Sequence, residues 1–116
     1  MKLFTAKQRA KLLANGAHNN ARRPDTTDFP PVVKLFYPVG AATWLLSEID
    51  PEDPDIAFGL CDLGFGSPEM GSVSIRELED FKGRMGLRVE RDLYFEARHT
   101  LSEYADAARL AGRIVA

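Results

Sequence analysis

The chain of 116 residues has the length of one globular domain, and its 45% hydrophobic and 28% charged residues exclude a disordered or collagen-like composition. Its single cysteine, Cys61, excludes an internal disulfide, and no window approaches the roughly 18 consecutive apolar residues of a membrane span. The net charge of −2 conceals a split: residues 1–24 carry Lys2, Lys7, Arg9, Lys11, Arg22 and Arg23 without an acid, whereas residues 35–75 carry seven acids without a Lys or Arg.

Charges interrupt every apolar run near the N-terminus, so no export signal is expected. A reducing cytoplasmic setting fits the lone thiol.

Thr5 and Gln8 form a capping box that opens a first helix over about Ala6 to Asn15, with Gly16 suited to end it. Leu3, Phe4, Ala10, Leu13 and Leu12 are expected to face the core, leaving Lys7, Arg9 and Lys11 in water. The polar stretch from Ala17 to Pro31, closed by Pro30-Pro31, reads as a loop. Residues 1–31 thus make a basic helix and loop, and the whole of 1–116 is expected to be one domain.

Four β-type runs follow, at Val32–Tyr37, Thr43–Ile49, Asp55–Leu63 and Met70–Ser74, punctuated by Pro38 and Gly40, by Asp50-Pro51, and by a glycine-rich turn over 64–69. Their short connections predict an antiparallel meander. Ser74 and Glu77 open a second helix bearing Leu78, Phe81 and Met85, with Gly83 or Gly86 near its end. A fifth strand over about Leu87 to Phe95 precedes a third box, Thr100 and Glu103, and a final amphipathic helix. The predicted class is α+β: an antiparallel sheet of about five strands, in the order α-β-β-β-β-α-β-α, packed against helices.

With a turn over Asp50–Pro54, Glu48 falls opposite Ile56, Leu46 opposite Phe58 and Trp44 opposite Leu60. One apolar face of Trp44, Leu46, Ile56, Phe58 and Leu60 results, with Glu48 and Asp62 at its ends. These two acids then stand on the order of 20 Å apart at about 3.3 Å per residue, too far to act as an acid/base pair.

Asp62 and Glu69 flank the glycine-rich turn and are the candidate ligands for a hard cation, but turn chemistry favours Asp62 bonding turn amides with Glu69 in water, and both turn acids are expected to stay exposed. Gly64-Phe65-Gly66 lacks the lysine and third glycine of phosphate loops. Cys61 lies mid-strand without a basic neighbour and reads as a small buried hydrophobe. His18 and His99 accompany no nucleophile motif. In Glu90-Arg91-Asp92, Arg91 is expected to pair with a meander acid. No cofactor is indicated.

Several phrases together resemble a bacterial domain family of unknown function commonly encoded on plasmids and integrative elements. They are Pro31–Phe36, Thr43–Glu48, Phe58–Gly64, Pro68–Gly71 and Glu90–Asp92, and the similarity covers about Leu3 to Tyr104. The resemblance implies a cytosolic accessory protein of mobile DNA and carries over no catalytic residue. The leading expectation is a non-enzymatic interaction module with a protein partner. The alternatives are a metal-dependent hydrolase or nuclease using Asp62, Glu69 and a neighbour such as Glu48 or Glu90, and nucleic-acid binding through Lys7, Arg9, Lys11, Arg22 and Arg23.

Overall fold

The computed structural model describes residues 2–116. Helix α1 spans Ala6–Arg22, strands β1 to β4 span Val33–Phe36, Thr43–Ile49, Ile56–Asp62 and Glu69–Ser74, helix α2 spans Ile75–Asp80, strand β5 spans Glu90–Arg91, and helix α3 spans Leu101–Ala111. The five strands form one antiparallel sheet in the order β4-β3-β2-β1-β5. The class and element order are those expected. No helix among the described residues is long and apolar enough to cross a membrane.

Both faces of the sheet are covered. On one, Leu3, Phe4 and Leu12 with Ile75 pack on Val33, Leu35, Trp44, Leu46, Ile49 and Ala57. On the other, Leu101, Tyr104, Ala105, Ala108 and Ile114 pack on Leu45 and Leu60, flanked by Phe58 and Met70. Leu45 and Leu46 are adjacent, point to opposite faces and are both fully buried, each contributing about 1.5–3 kcal/mol.

The single apolar face expected for Trp44, Leu46, Phe58 and Leu60 is therefore divided. All four are turned toward helices, but Trp44 and Leu46 face α1 while Phe58 and Leu60 face α3. The cause is the register. Trp44 pairs with Cys61 and Leu46 with Gly59, whereas Glu48 pairs with Phe58, so a bulge at Ser47 inserts one residue into β2. An extra residue reverses the alternation beyond it, which sets Ile49 on the α1 face and Glu48 on the α3 face.

Helix α1 runs a further two turns beyond its expected end. Gly16 lies inside the helix against the strand, where an added Cβ would sit 1.8 Å from the carbonyl oxygen of Ile49. Glycine here permits close approach, not termination. Conversely α2 ends at Asp80, short of Phe81 and Met85. Phe81 instead packs edge-on against Tyr37 at 5.1 Å, and Met85 is 92% exposed. Of the strand expected over 87–95, only Glu90 and Arg91 join the sheet, opposite Phe36 and Leu35 of β1, while Arg88 forms an isolated bridge with Lys82.

Candidate functional site

Helix α1 covers a gap in the sheet. Strand β1 accompanies β2 only as far as Leu46, whose carbonyl accepts from Val32 N–H at 2.8 Å. Past that point β2 has no strand on its α1 side, and its carbonyls need other donors. The Asn15 amide donates to Ser47 O at 2.9 Å, the Asn19 amide to Glu48 Oε2 at 2.6 Å, and the Asn20 amide to Asp50 Oδ1 at 2.9 Å. Asn15 and Asn19 are one helical turn apart and both buried, so a polar stripe on α1 stands in for the missing strand.

The segment after α1 is tied to the same stripe. Asn19 accepts from Thr27 N–H at 2.8 Å and donates to Thr27 O at 3.2 Å, and His18 bonds the Thr27 hydroxyl at 2.9 Å. Farther along, Asp28 accepts from the amide and hydroxyl of Ser102 in the first turn of α3, and Phe29 O accepts from Leu101 N–H at 3.0 Å. Burial pushes the Asp28 pKa up, but the Ser102 and Thr100 bonds outweigh it and hold the carboxyl below the ordinary range.

Between this loop, the end of α1 and the α3 face of the sheet lies a cleft of about 520 Å³. Its floor is the row Glu48, Phe58 and Ser72, paired across β2, β3 and β4, with Ile56 and Met70 on either side. Glu48 is buried, yet only Oε2 is hydrogen-bonded. Oε1 forms an ion pair with Arg23 at 3.8 Å, a residue that also lines the cleft. Among the described residues no fully buried side-chain oxygen lacks a partner, so Oε1, without a hydrogen bond of its own, keeps some contact with solvent. At the rim, the Glu52 N–H and the Asn20 amide hold the Asp50 pKa low; outside the cleft, next to Ile56, the Ser74 hydroxyl and Arg76 N–H do the same for Asp55.

The candidates named from the sequence are dispersed. Asp62 is 3% exposed and accepts from Gly64 N–H at 2.8 Å and from Ile114 N–H at 2.9 Å. It ties both the turn and the tail after α3, contrary to the expectation that the turn acids are exposed. Glu69 pairs with Cys61, the residue before Asp62, so the two acids point to opposite faces. Among the described residues no three His, Cys, Asp or Glu side chains gather as metal ligands.

Arg91 donates to Lys2 O at 2.9 Å and joins no ion pair among the described residues; Asp92 instead meets Lys34 at 3.7 Å. Burial pushes the Cys61 thiol up to about 11. His99 packs edge-on against Tyr104 at 5.4 Å. Lys7, Arg9 and Lys11 are exposed. Arg22 and Arg23 belong to the end of α1, not to a free loop: Arg22 bonds His18 at 3.2 Å and Arg23 bonds Asn20 at 3.3 Å. Asn15, Asn19 and Asn20 carry no motif that marks them as a group, although Leu12, Asn15, Gly16 and Asn19 fall at the helical steps of the buried face of a longer α1.

A family model described as a protein of unknown function, DUF2958, matches residues 3–115. The chain belongs to this family. No curated protein and no solved structure matches it. The DUF2958 match spans every element that builds the cleft, from the Asn stripe of α1 to the first turn of α3.

Proposed function

We propose that this protein is a non-enzymatic interaction module that takes a segment of another protein into the cleft beside Glu48. The observation that carries this reading is the cleft's construction. Apolar Phe58 on the floor, with Ile56 and Met70 beside it, meets a polar wall whose Asn side chains are already fixed by hydrogen bonds, the mixture that a preformed binding site presents. A setting as an accessory protein of a bacterial mobile element is supported by the resemblance of the phrases from Pro31–Phe36 to Glu90–Asp92.

Selection from a random peptide library displayed on phage tests the module. Enriched sequences are expected to bind the wild-type protein and to lose binding to Ser72→Tyr, which fills the floor at an exposed strand position. A selection that enriches no cleft-dependent sequence overturns the reading.

A second reading has its own observation. Lys7 and Lys11 are one turn apart on α1, exposed, and outside every ion pair among the described residues. Such a face suits a phosphate backbone. Fluorescence anisotropy with labelled duplex DNA would then show a log–log salt slope of about −0.9 per phosphate contact, and absence of binding at low salt would remove this reading.

A further inference from the structure

Strand β4 is the one long strand at an edge of the sheet. Its inner side pairs with β3 from Glu69 to Ser74, and no backbone hydrogen bond reaches its outer side between Glu69 and Val73 among the described residues. Sheet proteins ordinarily blunt such an edge with lysine, proline, a bulge or a covering element. Here Met70 to Val73 contains none of these, and no register shift interrupts β3 and β4. A Cβ added at Gly71 would meet nothing within 4 Å, so the edge is open on the α1 face as well. On the α3 face, Met70 and Ser72 line the cleft.

We infer that β4 accepts an extended basic peptide from a partner protein as a sixth, edge strand, with one of its cationic side chains directed along the cleft floor toward Glu48. The inference rests on the interaction-module reading and specifies its partner. Adding a strand supplies main-chain hydrogen bonds, and pockets for alternate side chains supply selectivity. Side chains at paired positions share a face, so the peptide residue opposite Ser72 would continue the row Glu48, Phe58, Ser72. At about 4.8 Å per strand, that residue stands roughly 14 Å from the Glu48 backbone. Glu48 is held toward α1 by Asn19 and Arg23, so a lysine or arginine extended over the Phe58 ring covers only part of that span and feels the carboxylate at a distance.

Charge selects the partner. The meander from residue 35 to residue 75 carries seven acids and no Lys or Arg. Asp55 sits beside the C-terminal end of β4, bonded to Ser74 at 2.6 Å, and Glu69 sits at the other end on the α1 face. Glu48 lies on the cleft floor with Oε1 held only by the 3.8 Å ion pair to Arg23. A second copy pairing through its own β4 would bring these acids against their counterparts, which disfavours self-association and favours a cationic strand.

The probe is a fluorescein-labelled alternating lysine–valine peptide, read by anisotropy at low salt against the whole protein. It is expected to bind at least about tenfold more tightly than the glutamate–valine counterpart, a factor worth about 1.4 kcal/mol. Pairing through one edge also predicts an asymmetry. N-methylation of one alternate set of peptide amides should abolish binding, because those N–H groups face β4, while methylation of the other set should not. Glu48→Gln, which keeps an acceptor for Asn19, should weaken the lysine peptide severalfold and leave the fold intact.

Binding indifferent to both methylation sets, equal binding of acidic and basic peptides, or a β4-dependent dimer in sedimentation overturns the inference. The two readings fail separately. Cleft-dependent phage peptides that are neither basic nor methylation-sensitive would sink the strand-pairing inference and leave the module standing, whereas a selection without cleft-dependent binders removes both.

Discussion

Replacing Gly16 with alanine sets helix propensity against packing. In an exposed helix interior the change stabilises by about 1 kcal/mol. In α1 the added Cβ falls 1.8 Å from the Ile49 carbonyl oxygen, 2.8 Å from its carbon and 3.2 Å from Pro51 Cδ, where real Cβ atoms stay beyond 3.0 Å. Neither neighbour can swing aside, because the next residue anchors the strand through Asp50 N–H to Ile56 O at 2.9 Å.

The helix must retreat, and the Asn15 and Asn19 bonds, at 2.9 and 2.6 Å, stretch with it. Overpacking costs about 1–3 kcal/mol. A neutral hydrogen bond is worth about 0.5–1.5 kcal/mol and one to a charged group about 1.5–3. Retreat trades one penalty for the other, so they do not add fully, and a net loss of about 2–4 kcal/mol is expected. Urea unfolding followed by circular dichroism measures it, with Ala14→Gly, an exposed position on the same helix, as a propensity control costing about 1 kcal/mol. A Gly16→Ala midpoint at or above the wild-type value, with the slope unchanged, would refute the close approach of α1 to β2.

Asn19→Asp sets a second carboxyl against buried Glu48. Two carboxylates in one site raise a pKa, so a loss of about 3 kcal/mol or more at pH 7 should shrink as the pH falls and the pair takes up a proton; a deficit independent of pH would count against the contact. Asp62→Ala removes the acceptor of two amides and should cost about 2–4 kcal/mol, with hydrogen-exchange protection lost at Ile114; full protection in the variant would show that the tail is held otherwise. Because its bonds to Ser102 lower the Asp28 pKa, the stability that this carboxylate contributes is present above the ordinary carboxylate range and lost as pH falls through the folded value. The difference between wild type and Asp28→Ala, about 1 kcal/mol at pH 7, should therefore shrink below about pH 4 in a pH series of urea midpoints. Cys61, with its thiol pushed up to about 11, should react with a disulfide reagent at neutral pH at least roughly a hundredfold more slowly than in the unfolded chain; equal rates would place it outside the core.

Local chemistry was readable. The capping boxes at Thr5 with Gln8 and at Thr100 with Glu103 form with both reciprocal bonds, Ser74 caps Glu77 N–H, and β2 has the limits expected of it, because side-chain competition for backbone amides and β-branched patterning act within a few residues. The faces of the sheet were not readable. They turn on one extra residue at Ser47, and its unpaired carbonyl is tolerated only because Asn15, 32 positions away, donates to it. The same long-range fact misled the reading of Gly16, which in isolation looks like a helix stop and in the fold is the point of nearest contact. Glu48 is visible in the sequence as the end of an apolar face, but its place on the cleft floor depends on where the bulge turns it and on its bonds to Asn19 and Arg23 at the far end of a helix longer than its local signals mark.

The sheet has three stretches of edge, and the chain treats them differently. Beyond Leu46 the edge of β2 is closed by α1, whose Asn stripe and Gly16 supply donors and clearance that a strand would otherwise provide. The edge of β1 is closed by the two residues of β5 and by Asp92 N–H donating to Lys34 O at 2.9 Å. Strand β4 receives neither. Unpaired backbone along an edge is a liability that invites aggregation, and the open outer side of β4 from Glu69 to Val73, beside an acidic, partly apolar cleft, is hard to account for by stability, since no backbone bond among the described residues draws on it. Temporary closure by another chain, as inferred above, would account for the openness, the local charge and the missing edge-blunting residues together. Repulsion among the surrounding acids meanwhile discourages copies of the same chain from supplying that strand.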